Sequence, residues 1–349
     1  MSKFKIATAA ALTLGIGIFA YNDYRTPVYE GTAGIEFRAA YAPARATSVD
    51  FHVWYPANAG GRLITVGGNG VFHGTEAGIN APHLSGKHPL VLISHGSGGN
   101  AGQFGWIASR LAEAGYVVAL PNHPGTTTGN ASAEDAVRVW ERPADLSAVL
   151  DEIISEPEKY PYIDTSRIAA LGFSAGGYTA MAVSGARVAP QALQEFCDTT
   201  DHGMSDCRFL ERGGVDLHAM DLSPASQDHK DPRISAAVII DPGIVETLTD
   251  ESLREIDIPM LIMNLGAVGE VPAGVDATHA TSLIPDAQFD RIDDTTHFSF
   301  LAECTEIGPE ILAKEGEEDP LCEDAGGRDR AALHDEMQAK IVTYLDGVM

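Results

Sequence analysis

Apolar positions along the chain fall into two rhythms. Pro89–Ser94, Tyr116–Leu120, Ile168–Leu171, Arg233–Ile240 and Ile258–Asn264 are short, nearly continuous apolar runs of strand length. Such runs are expected of strands covered on both faces of a parallel sheet. Val49–Tyr55 alternates instead and reads as a strand ended by Pro56, and Gln288–Ile292 is short and strand-like. Between the runs lies helical spacing. Gln103–Ala114 carries Trp106, Ile107, Leu111 and Ala114 and is stopped by Gly115. A helix opening at Pro143 carries Leu146, Val149, Leu150, Ile153 and Ile154, with Pro157 and Pro161 after it. Ala331–Leu345 closes the chain with Leu333, Met337, Ile341 and Leu345 on one face. Strand and helix alternate over short connections, which predicts a mostly parallel, doubly wound sheet with helices on both faces.

The rhythm fails in four places. Asn58–His88 is rich in Gly, Asn and Pro and reads as a long loop, and Glu303–Arg328 is acidic and loop-like. Residues 184–231 show no period. They read as a cap-like insertion over the site, with a peripheral excursion as the alternative. The N-terminal stretch places Lys3 and Lys5 before an apolar run from Ile6 to Ala20. It reads as a secretory signal or an N-terminal membrane anchor over residues 1–20, and residues 21–349 then form one domain. The run is shorter than the ~20 residues of a spanning helix.

Composition narrows the picture. Hydrophobic residues make up 44% of 349 positions and charged residues 21%, enough for a sizeable core. Lys plus Arg is 23 against 49 Asp plus Glu, a formal net charge of -26, which argues against nucleic acid and anionic membrane surfaces as partners. The four cysteines fit an exported protein, periplasmic or secreted. Of three pairings, the simplest joins Cys197 to Cys207 and Cys304 to Cys322; neither pair has the spacing of a zinc site.

The chemistry centres on Gly172-Phe173-Ser174-Ala175-Gly176. A strand that turns through Gly-x-Ser-x-Gly into a helix is a nucleophile elbow. The serine is exposed at a strained turn, and the following N–H, from Ala175, points where an oxyanion would form. A second Gly-rich loop, His95-Gly96-Ser97-Gly98-Gly99-Asn100, follows a buried strand, and its Ser97 N–H is the expected second oxyanion donor.

A serine hydroxyl needs a base, and the base an orienting carboxylate; in this architecture they follow in the order Ser, acid, His. His297, just past the last strand, fits the base. His279 lies on the approach to that strand, and His334 reads as a helix-surface histidine. His123, in a loop on the same face, is either a substrate contact or a structural turn residue. For the acid, Asp241 abuts its strand and stands first, Asp276 second; Glu270 and Asp276 also read as solvated loop charges.

These stretches resemble the α/β-hydrolases, and more narrowly platelet-activating-factor acetylhydrolase and the bacterial predicted dienelactone hydrolases. The likeness spreads from Ser48 to Cys304 over Pro89–Gly99, Tyr116–Gly125, Glu141–Leu150, Ile168–Gly177, Asp231–Asp241 and Thr296–Leu301. It implies a Ser174–Asp241–His297 triad and an oxyanion donor at Ser97. The nucleophile departs from true dienelactone hydrolases, which use cysteine. The expected activity is hydrolysis of short-acyl or lipid-like carboxylic esters, with no cofactor and no metal. The alternatives are cleavage of another acyl bond (peptide, thioester or polyester) and a non-catalytic binding protein on the same fold.

Overall fold

The computed structural model describes residues 27–199 and 206–349; the N-terminal lysine-and-apolar stretch lies outside them. Ten strands form one sheet: β1 (Ala33–Ala42), β2 (Thr47–Pro56), β3 (Arg62–Val66), β4 (Thr75–Ile79), β5 (His88–Ser94), β6 (Val117–Pro121), β9 (Ile163–Phe173), β10 (Ala236–Ile240), β11 (Met260–Leu265) and β12 (Ala287–Ile292). A small separate hairpin pairs β7 (Thr126–Thr127) with β8 (Asn130–Ala131). Across the sheet the order is β12-β11-β10-β9-β5-β6-β2-β1-β4-β3. From β12 to β6 every pairing is parallel; β2 is antiparallel to β6 and β1 to β2.

The helices are α1 (Gly105–Glu113), α2 (Ala133–Val137), α3 (Arg142–Ser155), α4 (Ala175–Val183), α5 (Pro190–Glu195), α6 (Asp206–Arg212), α7 (Asp250–Arg254), α8 (Thr278–Leu283), α9 (Gly308–Glu315) and α10 (Arg330–Val348). The continuous apolar runs acquire their meaning here. Leu90 and Leu92 pack into one core with α3 and α4, while Val91 and Ile93 pack into a second core with α1 and α10. Successive side chains point to opposite faces of a strand, so a strand covered on both sides has no polar position. The chain thus has the α/β-hydrolase fold expected of it.

Two stretches read as loops contain structure. Within 58–88, β3 and β4 pair antiparallel at the sheet edge, and β4 also runs parallel to β1. An edge strand buries little, so five residues such as Arg62–Val66 carry a weak apolar signal. Within 303–328, α9 forms with mostly exposed residues. The insertion 184–231 contains α5, α6 and short 3-10 turns in place of longer periodic helices. Cys197 is bonded to Cys207 and Cys304 to Cys322.

Candidate active site

The turn after β9 is built by steric exclusion. A Cβ on Gly172 would run into the Gly176 carbonyl, and one on Gly176 into the Ser94 carbonyl. Both positions therefore require glycine. Between them Ser174 takes φ 56 and ψ -124, a conformation costly for a residue with a side chain. The Ser174 N–H is fixed on the Ile240 carbonyl at 3.0 Å and its carbonyl accepts from Gly243 at 2.8 Å. Its hydroxyl stands at the carboxyl edge of the sheet, where α4 begins.

Three residues far apart in the chain converge there. His297 Nε2 lies 3.2 Å from Ser174 Oγ, and His297 Nδ1 lies 2.9 Å from Asp241 Oδ2. An ionised carboxylate only accepts, so Nδ1 carries the hydrogen and Nε2 is free to accept from the serine hydroxyl. Asp241 is fully buried. Its other oxygen accepts from Asn264 Nδ2 at 2.8 Å and from the Leu265 N–H at 2.9 Å, which hold the carboxylate in place. Asn264 is itself pinned, donating to the Val275 carbonyl and accepting from the Ala277 N–H. Phe173 stacks on the His297 ring at 4.7 Å.

The rival acids lie elsewhere. Asp276 accepts from the Thr278 N–H and hydroxyl at the start of α8, and Glu270 is exposed. His279 is exposed and pairs with Asp250. His334, read as a surface residue, is 1% exposed. Its ring stacks on Trp106 at 3.6 Å, and its Nε2 lies 3.2 Å and 3.0 Å from the Ser299 and Leu301 carbonyls. Trp106 Nε1 donates to the Phe300 carbonyl. Helices α1 and α10 thereby clamp the turn that carries His297. The apolar face of α10 hid this role, because a single polar residue on it gives no periodic signal.

The oxyanion candidates flank Ser174. The Ala175 N–H is the first of α4 and has no intrahelical acceptor. In the Gly-rich loop, the Gly98 N–H is bonded to the Thr126 carbonyl and the Gly99 N–H to the Gly96 carbonyl. Among the described residues the Ser97 N–H has no acceptor. A Cβ on Gly96 would sit 3.3 Å from Ser174 Cβ, so the loop lies directly against the serine.

Behind this loop the fold buries a second Ser, His and Asp set. Ser94 Oγ lies 2.8 Å from His123 Nε2, and His123 Nδ1 lies 2.9 Å from Asp145 Oδ2. None of the three is exposed, so no substrate reaches them. The buried Arg142 guanidinium donates to the His95 carbonyl, Thr126 Oγ1 and Thr179 Oγ1. Burial brings Arg142 down to about 9 and lifts Asp145 to about 6, against the lowering effect of Arg45, which binds it at 2.8 Å. Burial and then Arg142 hold His95 and His123 well below the usual histidine range. The set braces the loop from below, and His123 is the structural alternative of its two readings. Sequence inspection missed Arg142, Asp145 and Asn264: a buried polar residue looks like a surface one until its partners are placed.

Two cavities meet at Ser174. One, of about 60 Å³, is lined by Ser97, Ala175, Val137, Leu210, Leu217 and Ile244 among others. The other, of about 330 Å³, is bordered by His297, Phe298, Leu301 and Leu321. Asp206, from the insertion, reaches both, and burial raises its carboxyl above the usual range while His297 pulls it down. Among the described residues no group of His, Cys, Asp or Glu is placed to hold a metal ion, and no helix is long and apolar enough to cross a membrane.

A family model described as the prolyl oligopeptidase family matches residues 102–190, which include Ser174 but neither Asp241 nor His297. No curated protein sequence matches the chain. Among solved structures, the ferulic acid esterase from Streptomyces cinnamoneus superposes with a TM-score of 0.59 at 17% identity, over 93% of this chain and 91% of that one. A dienelactone hydrolase-like promiscuous phosphotriesterase from metagenomic libraries superposes with a TM-score of 0.49 at 15% identity, over 90% of this chain and 99% of that one. Sheet order and the likeness to the ferulic acid esterase show the α/β-hydrolase fold, with the Gly-x-Ser-x-Gly turn between β9 and α4.

Proposed function

We propose that the protein is a serine carboxylic-ester hydrolase that works through a Ser174–His297–Asp241 triad on short-acyl or lipid-like esters. The observation that carries the reading is the unbroken chain from Asp241 Oδ2 through His297 to Ser174 Oγ. The partial family match and the fold of the esterase neighbour support the coarser reading, a serine hydrolase of the esterase or peptidase type.

Ser174 Oγ attacks the acyl carbon while His297 Nε2 takes its proton. The imidazolium is stabilised by Asp241, and the oxyanion by the Ser97 and Ala175 N–H groups. His297 then gives its proton to the leaving oxygen, which departs as the alcohol. Water attacks the acyl-enzyme, again through His297, and releases the acid. No step calls for a metal or a cofactor. The prolyl oligopeptidase match favours one second reading, cleavage of a peptide bond by the same residues.

The test is hydrolysis of p-nitrophenyl and peptidyl-anilide substrates by the wild type and Ser174→Ala. Ester turnover abolished by the substitution supports the proposal. Anilide turnover without ester turnover favours the peptidase, and ester turnover that survives the loss of Ser174 overturns the mechanism. The two disulfides are compatible with export, and we place the protein in the periplasm or outside the cell.

A further inference from the structure

The two cavities at Ser174 differ in the residue that matters for catalysis. The larger is bordered by His297 and the smaller is not, whereas the smaller is lined by both Ser97 and Ala175. In acyl transfer the leaving oxygen must receive a proton from the histidine, so the leaving group has to lie on the histidine side. The rest of the acyl group then continues on the other side of the carbonyl carbon, past the oxyanion donors.

The smaller cavity is walled by two kinds of residue. Val137, Val139 and Tyr178 belong to the hydrolase body; Leu193, Phe196 and Leu217 belong to the insertion. The disulfide between Cys197 and Cys207 ties the segment after α5 to α6, whose Leu210 closes the wall. Ile244 adds a further face from the loop after Asp241, with its backbone at φ 49, a left-handed conformation unusual for a β-branched residue. The larger cavity has a more polar rim that includes Gln103, Arg212, Glu317 and Asp319.

We infer that the insertion, through its described residues 184–199 and 206–231, acts as a cap that builds the smaller and more apolar cavity into an acyl pocket, with Leu210 and Leu217 limiting chain length, while the alcohol lies in the larger cavity beside His297. This inference rests on the esterase reading above. It assigns the substrate class as esters of short apolar acids with bulky or polar alcohols.

The test crosses two substrate series, p-nitrophenyl esters from acetyl to dodecanoyl and acetyl esters of alcohols of increasing size. It uses the wild type, Leu210→Ala, Leu210→Trp and Leu321→Ala. A buried methylene discriminates by about tenfold or more in kcat/KM. Leu210→Ala is expected to raise the octanoyl-to-acetyl ratio of kcat/KM by about tenfold, and Leu210→Trp to lower the butanoyl-to-acetyl ratio by a similar factor. Neither is expected to change the order of alcohols. Leu321→Ala is expected to alter the alcohol series and leave the acyl profile in place. The inference is overturned if Leu210 variants change alcohol preference instead, or if neither series responds. Wild type that cleaves no ester sinks the esterase reading itself, a result distinct from an active enzyme with an unchanged profile.

Discussion

At the scale of single residues, the identity of the acid is the sharpest question. Asp241 and Asp276 both follow parallel strands, and the sequence puts Asp241 first because it abuts its strand and because the family resemblance favours it. The structure separates them by what they touch. Asp241 is buried and accepts from His297, Asn264 and Leu265, whereas Asp276 caps α8. Asp241→Asn is expected to lower kcat by about 10⁴-fold, because an amide in that place favours the wrong histidine tautomer. Asp276→Asn is expected to stay within about twofold of wild type, and steady-state kinetics on p-nitrophenyl acetate separates the two. Ser174, Asp241 and His297, which the structure brings together, could be picked out as candidates because each sits at a strand end where the architecture puts such groups. Asn264 was not, since its role comes entirely from a neighbour on another strand.

At the scale of elements, the turn His297–Phe300 is held by parts remote from it. Thr296 and Ser299 close a capping box around its first residues. Trp106 of α1 and His334 of α10 bind the carbonyls of Ser299, Phe300 and Leu301. His334→Phe keeps a ring against Trp106 but removes the donor from two carbonyls. A buried carbonyl left without a donor costs about 1–3 kcal/mol. The expected outcome is a loss of stability in that range by urea denaturation, together with a lower kcat and an unchanged KM. An unaltered kcat would mean that the clamp does not position the histidine. Long periodic elements such as α3 and α10 were legible from their apolar faces. The edge hairpin of β3 and β4 and the exposed α9 were not, because they bury too little to leave a pattern.

At the scale of the whole molecule, the buried histidines couple folding to pH. His95, His123 and His334 are buried, and burial holds each below the usual range, His334 at about 3. The unfolded chain protonates them near roughly pH 6.5. Below that pH the unfolded state binds more protons, so their contribution is complete above 6.5 and drains as pH falls. The loss is about 1.4 kcal/mol per pH unit for each histidine. Asp145 acts in the opposite sense. Burial lifts it to about 6, so the folded state takes up that proton first and offsets one histidine below pH 6. From these four groups the net loss is about 3 kcal/mol per pH unit between roughly pH 6 and 4. Urea midpoints measured from pH 7.5 to 4.5 check this, and a flat profile contradicts it. Composition announced the acidic surface but not this network, which exists only once β5, β6 and α3 are packed together.

In the proposed function Ser174 is a nucleophile activated by His297 and Asp241. The most direct measurement is intact-protein and peptide mass spectrometry after reaction with a fluorophosphonate, which reports the attacking atom whatever the natural ester. One adduct per chain is expected, on the peptide that contains Ser174, absent from Ser174→Ala and formed far more slowly in Asp241→Asn. An adduct on another residue, an adduct that persists in Ser174→Ala, or no adduct on the folded protein would contradict it.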